Sequence, residues 1–315
     1  MAEAAAQDDD DIFVYMGGDQ QVPLGVRRAR IHISVKIVRA RAFQGRHQLI
    51  SVDFHDGVEM IEEQAFDGCG LLRSIKLLGV KIVKRMAFLC CFGLTDIEFG
   101  DKLETIENSA FNKTALRKVK MPSVRTIGQW AFAWCRELSD VECGEALETL
   151  EQYSLIGCSK LKRIVLPLKS GLIGGGAFDN CHKLMEVDLV GGIHQTVASL
   201  HMESWRNEMT DEINRINQVL PNTYKTEAIQ QWMESTVQLL DERKDEHRKV
   251  LKEATTLLEL ALWKTNLDDD GGDRLDREGV RITRGSRKKA RKETYVTSGA
   301  NVVIKNVLPF LQLLE

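Results

Sequence analysis

No apolar run in the sequence approaches the roughly 20 residues that a membrane-spanning helix needs. The longest candidates, Leu257–Trp263 and Val302–Leu314, are far shorter. Charge of one sign is also lacking: 43 Lys and Arg stand against 46 Asp and Glu, a net charge of -3. That removes any global field drawing the chain to nucleic acid or an anionic membrane. The N-terminal stretch, Met1 to Asp11, is Ala-rich and then acidic. It lacks the basic start and apolar stretch of a secretory signal, so an intracellular, cytoplasmic protein is expected. The seven His include no pair at metal spacing, no C-x-x-C occurs, and Gly174–Gly176 is not followed by Lys-Ser/Thr. No metal ligand, cofactor site or catalytic residue can be assigned, and an enzyme is not expected. What remains is ordinary globular material, 43% apolar and 28% charged, long enough for about two domains.

What is present is a repeat. An aromatic recurs at Phe43, Phe66, Phe88, Phe111, Phe132 and Phe178, with Leu155 standing in once, at intervals of 21–23 residues. A small residue precedes each: Ala42, Ala65, Ala87, Ala110, Ala131, Ser154, Ala177. Five positions before each lies an aliphatic residue, from Val38 and Ile61 to Ile173. A Leu column follows, from Leu49 to Leu184, then a β-branched column from Val52 to Val187. Such self-similarity is the mark of a stacked solenoid, in which one unit cannot bury its apolar face alone. Each unit reads as two short extended arms joined by an A-F-x-x-C turn. The phenylalanines should form one internal ladder. Val26, Ala29 and Ile31 match a partial first unit. Ile12–Met16 with Gly17-Gly18-Asp19 predicts a hairpin covering the open end.

This pattern resembles the BspA-type leucine-rich repeat, close to L-x-x-I-x-x-x-A-F-x-x-C-x-x-L-x-x-I-x-L-P, over about half the chain. Arg46 and Thr114 replace the turn Cys, and one residue is missing before Leu116. The resemblance implies a leucine-rich-repeat solenoid and carries no enzymatic residue. Proteins with this repeat include bacterial surface antigens and adhesins, so a cell-surface adhesin or antigen-like protein is the alternative function. Repeats followed by a helical tail also resemble a family of diatom proteins.

Five of the seven Cys, Cys69, Cys91, Cys135, Cys158 and Cys181, fall in the turn column. The odd total favours a buried thiol ladder in a reducing compartment over disulfides. Cys90 should be the more exposed of its pair. Between the last apolar positions of each arm, an outward column reads Arg30, Asp53, Lys76, Glu98, Lys120, Glu142, Val165, Asp188. Alternating signs on neighbouring strands hold register. A more variable outward column, Ile50, Arg73, Thr95, Arg117, Ser139, Lys162 and Met185, is the candidate protein-binding surface.

After Gly191-Gly192 the apolar period becomes helical. Val197, Leu200, Trp205, Met209, Ile213, Ile216 and Leu220 form one stripe, Pro221 breaks it, and a second helix is predicted over 226–264. The divisions are therefore a cap and partial repeat (1–30), the solenoid (31–191), an antiparallel helical hairpin (192–266) and a charged linker with an apolar end (267–315). The fold class is α+β. The basic run Arg287–Lys292 reads as a solvated linker or a nuclear import signal. The expected function is a non-enzymatic scaffold binding another protein through the solenoid. A homodimer through the hairpin is a further arrangement; no nucleic-acid or membrane partner is expected.

Overall fold

The computed structural model describes residues 12–190 and 203–270. Of these, 12–190 with Glu203–Val237 form one compact unit, and 238–270 belong to a second.

Each repeat makes one coil with a long arm and a short arm. The long arms are β1 (Ile12–Tyr15), β2 (Arg28–Ile31), β4 (Ser51–Asp53), β6 (Ser74–Leu77), β8 (Asp96–Phe99), β10 (Lys118–Met121), β12 (Asp140–Cys143), β14 (Arg163–Leu166) and β15 (Glu186–Leu189). The short arms are β3 (Ile37–Val38), β5 (Met60–Ile61), β7 (Ile82–Val83), β9 (Thr105–Ile106), β11 (Thr126–Ile127) and β13 (Thr149–Leu150). All pairing is parallel, because each arm lies beside the same arm of the next coil. The short arms form one unbroken sheet, whereas the long arms form two, ending at β8 and restarting at β10. That break falls at the fourth coil, the one that is a residue short before Leu116.

The apolar columns point inward as the period requires. Phe43, Phe66, Phe88, Phe111, Phe132, Leu155 and Phe178 are all buried, as is every member of the Leu column. Rings stack nearly parallel from Phe43 through Phe132, with centroids 4.8, 5.0, 5.2 and 5.3 Å apart. Stacked pairs contribute about 0.5–1.5 kcal/mol each beyond the area they bury. Among the β-branched residues of the long arms, Ile97 beside the sheet break is only half-buried.

The turns hold the coils together through left-handed backbone. Two positions per coil have positive φ: one column is Arg41, Gln64, Met86, Ser109, Trp130, Tyr153 and Gly176, the other Gly45, Gly68, Cys90, Lys113, Trp134, Gly157 and Asn180. This conformation turns the N–H along the stack. Trp134 N–H thus donates to the Ile156 carbonyl (2.7 Å) and Lys113 N–H to that of Ala133 (2.9 Å). From Phe43 to Phe132 each aromatic N–H donates likewise, as Phe88 does to Ala110 (2.8 Å). A non-glycine residue in this region costs about 1–2 kcal/mol, which the hydrogen bonds between coils offset.

The N-terminus differs from the hairpin that the sequence predicts. β1 lies parallel to β2, with Ile12 beside Arg28 and Tyr15 beside Ile31. Tyr15 is buried, and its ring packs 5.2 Å from that of Phe43, extending the aromatic stack. The Gly17-Gly18 turn therefore leads into a further coil, because apolar burial of Tyr15 and Val22 outweighs a local hairpin.

At the other end, α1 (Glu203–Val219) and α2 (Lys225–Asp270) are joined by a 3-10 turn at Leu220–Asn222. Trp232 Nε1 donates to the Glu212 carbonyl (3.1 Å), so the helices run antiparallel. Met209, Ile216, Leu220, Ile229, Trp232 and Met233 are buried, and α1 packs on β15. Three side chains complete the last coil. Asn217 accepts from Val187 N–H (2.8 Å) and donates to its carbonyl (3.3 Å). Thr226 Oγ1 accepts from Phe178 N–H (3.0 Å). Gln230 donates to the Ile173 carbonyl (2.7 Å). Each mimics the strand or turn that an eighth coil would bring, so the terminal edge is covered. Helix α2 exceeds the predicted 226–264 because no Gly or Pro precedes Gly271. Leu257 and Leu258 of this helix are exposed in the second unit. Val197, Leu200, the basic run Arg287–Lys292 and the apolar segment 301–314 lie outside the described residues.

Candidate functional site

The charged column resolves into pairs that follow the ladder. Arg30 meets Asp53 (3.5 Å), Lys76 meets Glu98 (2.8 Å) and Lys120 meets Glu142 (2.7 Å). These span β2–β4, β6–β8 and β10–β12, where three or four residues pair in register. By contrast β4 and β6 pair only at Ser51 with Ser74. Arg163 binds Asp140 (3.7 Å), Glu186 (3.1 Å) and Asp188 (2.9 Å). The bond to Glu98 holds the Lys76 ammonium above its ordinary range. Charge on this face is thus spent between coils. A shallow groove of about 890 Å³ lies over it, its charged lining mixed in sign.

The variable column is one continuous line. Arg73 N–H donates to the Ile50 carbonyl (3.2 Å), Thr95 to Arg73 (2.9 Å), Arg117 to Thr95 (3.1 Å), Ser139 to Arg117 (2.8 Å), Lys162 to Ser139 (2.9 Å) and Met185 to Lys162 (3.1 Å). Arg73, Arg117, Lys162 and Met185 are exposed, while Ile50, Thr95 and Ser139 are half-buried. The fold places all seven side by side at the entry to the long arms.

The thiols are structural. All seven are free, and the five ladder Cys are buried. Each Sγ donates to the carbonyl of the aromatic-column residue one coil earlier: Cys69 to Phe43, Cys91 to Phe66 and Cys135 to Phe111 at 3.1 Å, Cys158 to Phe132 and Cys181 to Leu155 at 3.2 Å. In the first coil the Arg46 guanidinium does the same, donating to Val22 (Nε, 2.9 Å). Burial pushes the Cys69 thiol up to about 12 and that of Cys135 up to about 11. Neither is a nucleophile at neutral pH. Cys90 is half-buried.

The short fourth coil creates a feature that the sequence reading missed. The third coil reads Cys91-Phe92-Gly93-Leu94 and the fifth Cys135-Arg136-Glu137-Leu138; between them stands only Thr114-Ala115-Leu116. Ala115 leaves a notch of about 600 Å³, bounded by Phe92 and by Trp134, Arg136 and Glu137. Phe92 is 63% exposed and Trp134 40%. Trp130 and Tyr153, on the fifth and sixth coils, pack edge to face with centroids 6.2 Å apart and are 46% and 36% exposed. Trp130, Trp134 and Tyr153 all occupy left-handed positions. Gly157 makes room for Trp134: a Cβ there would lie 2.4 Å from the indole. The Arg136 guanidinium lies 6.0 Å from the Trp134 ring centroid, a cation–π distance. Glu137 is engaged by Lys160 (2.7 Å), which lowers its carboxyl. The Asn112-Lys113-Thr114 sequon borders the notch with Asn112 buried.

Among the described residues, no group of three His, Cys, Asp or Glu could hold a metal ion, and no helix is long and apolar enough to cross a membrane. The architecture is that of a leucine-rich repeat solenoid. Its sequence matches the BspA type leucine rich repeat region in six copies, over residues 26–124 and 81–197, and the chain belongs to that family. Among solved structures it is similar to the pneumococcal vaccine antigen PcpA (25% identity, 56% of this chain and 54% of that one, TM-score 0.41). A leucine-rich repeat protein of T. pallidum shares 24% identity over 58% of this chain and 77% of its own (TM-score 0.41). A leucine-rich cell surface protein of Faecalibacterium prausnitzii shares 18% over 59% and 71% (TM-score 0.36). The chain spans about half the length of the pneumococcal antigen. No curated protein matches it.

Proposed function

We propose that this chain is a non-enzymatic scaffold that binds another protein on the notched side of its solenoid, with Arg117 and Ser139 of the variable column at the edge of the contact. The observation that carries this is Phe92 and Trp134, exposed on either side of the short coil, with a second exposed aromatic pair, Trp130 and Tyr153, on the fifth and sixth coils. Exposed aromatics grouped at one place are the residues that dominate protein interfaces. Three of them sit on left-handed backbone that most other coils give to smaller or more flexible residues. The strand face is a weaker candidate, since its charges already satisfy one another. Seven free thiols support a reducing, intracellular setting. The test is capture with the full chain as bait, followed by cross-linking and mass spectrometry. Cross-links from a partner to the third to sixth coils support the reading. A captured partner cross-linked only to the paired strand face, or none at all, overturns it.

A further inference from the structure

The notch has a positive bias that the composition does not share. Lys113 lines it, Arg136 stands on its far wall, and Arg117 of the variable column follows Ala115 by two residues. The single acid of the lining, Glu137, is neutralised by Lys160. Two cations, Lys113 and Arg136, thus line an opening with aromatic sides, and Arg117 follows in the chain just beyond it, on a protein whose net charge is -3. Arg136 makes its contact with an indole face rather than a carboxylate. Several cations elsewhere meet acids one coil away, as Lys81 meets Glu59 (2.8 Å) and Lys84 meets Glu107 (2.7 Å). Phe92 and Arg136 belong to coils two apart, which sets the opening near 10 Å at about 4.8 Å per coil. Taken between backbones, that span leaves a free width below the roughly 10–12 Å that a helix with side chains needs, and suits one extended chain.

From this we infer that the notch binds a short extended acidic segment of a protein, its apolar side chain seated between Phe92 and Trp134 and its carboxylates on Lys113, Arg117 and Arg136. This deepens the scaffold reading and rests on it. A long polyanion such as nucleic acid is disfavoured, because on the arms leading away from the notch Lys118 and Lys120 alternate with Asp96, Glu98, Asp140 and Glu142, several of them already paired. No continuous positive track extends past the opening, whereas a short segment needs none.

The experiment is peptide display on the immobilised full chain, followed by fluorescence titration of the enriched peptides. Selected peptides should carry several Asp or Glu around one apolar residue. Their affinity should fall steeply with salt. Trp134→Gly places there the residue that Gly45, Gly68 and Gly157 supply in the same column, so the fold is retained. It should weaken binding by roughly thirtyfold, the loss typical of an aromatic hot spot. Arg136→Glu, at an exposed position, should weaken it by about tenfold or more and reduce the salt dependence. Enriched peptides that are not acidic, or that bind both variants as tightly as the parent chain, would overturn the assignment of the notch while leaving a scaffold role elsewhere. A single-stranded oligonucleotide binding more tightly than the peptides, and losing that binding in Trp134→Gly, would overturn the choice of partner. Failure to enrich any peptide, together with failure to capture a partner, would defeat both readings.

Discussion

Phe111→Ala probes the feature that the whole stack depends on. The ring is fully buried, parallel to Phe88 at 5.2 Å and to Phe132 at 5.3 Å, with Phe99 edge-on at 5.7 Å. A buried aromatic removes ~150–250 Å² from water, roughly 4–6 kcal/mol at about 25 cal/mol per Å². Alanine retains part of that, and measured Phe→Ala losses run about 3–5 kcal/mol. Losing two stacked neighbours and one edge contact brings the expectation to about 5 kcal/mol. With a urea slope of about 2–3 kcal/mol/M, the midpoint should fall by about 2 M. The position also makes the shape of the curve informative. Phe111 lies in the fourth coil, where the long-arm sheet already breaks. In a stacked array, stability is the sum of unit and interface terms. Weakening this interface should therefore split one transition into two, read by circular dichroism against Trp130 and Trp134 fluorescence. A loss under about 1 kcal/mol would refute the stacked-core account.

In native protein, a thiol reagent at neutral pH should modify Cys90 while the five ladder Cys stay unmodified; rapid labelling of Cys135 would contradict its burial. The raised ladder thiols also set a pH window. They stay protonated in the folded chain up to about 11 for Cys135 and about 12 for Cys69, against an ordinary 9.0 when unfolded. Stability should therefore be level below pH 9 and fall as pH rises from there through 11–12, followed by urea midpoint. Thr226→Val leaves Phe178 N–H without its acceptor and should cost about 1–3 kcal/mol by urea melt; an unchanged midpoint would remove its capping role. Asn217→Leu strips both partners from Val187 and should make the protein associate, seen by light scattering. Lys76→Glu places a third acid between Asp53 and Glu98, so the urea midpoint should drop at low salt and less at high salt. Reversing Asp53, Lys76 and Glu98 together should recover part of that drop; a triple variant no more stable than the single one would defeat the register role of the column.

The inward face of the solenoid is legible in the sequence because every coil repeats it. Phe111 can be placed in the core from Phe88 and Phe132 alone. The left-handed turn columns were open to the same treatment, since Gly45, Gly68, Gly157 and Asn180 share a column. Cys90, Lys113 and Trp134 interrupt it and hide the conformation, because hydrogen bonds to the next coil hold even a tryptophan there. The notch escaped notice for the opposite reason. A missing residue before Leu116 looks like a defect in a pattern, yet its effect is to uncover Phe92 and Trp134 on either side. The C-terminal cover carries no periodic signal. Asn217, Thr226 and Gln230 meet backbone groups 30, 48 and 57 residues away, and only the packed helices bring them there. At the N-terminus, Gly17-Gly18 suits a tight turn locally, but register is decided by the stack, where Tyr15 finds Phe43.

The interruption between β8 and β10 also bears on how the rod would carry load. Pulled along the stack, the coils act as links in series, and within each junction the backbone hydrogen bonds act in parallel. A chain of links fails at the one with fewest parallel bonds. At the junction of the third and fourth coils the turn and short-arm rows persist, with Phe88 on Ala110 and β7 on β9, while β8 and β10 form no ladder and the long-arm row keeps only the bond from Arg117 N–H to the Thr95 carbonyl at its entry. Tension would therefore open the solenoid there first, parting Phe88 from Phe111 and leaving shorter stacks on either side.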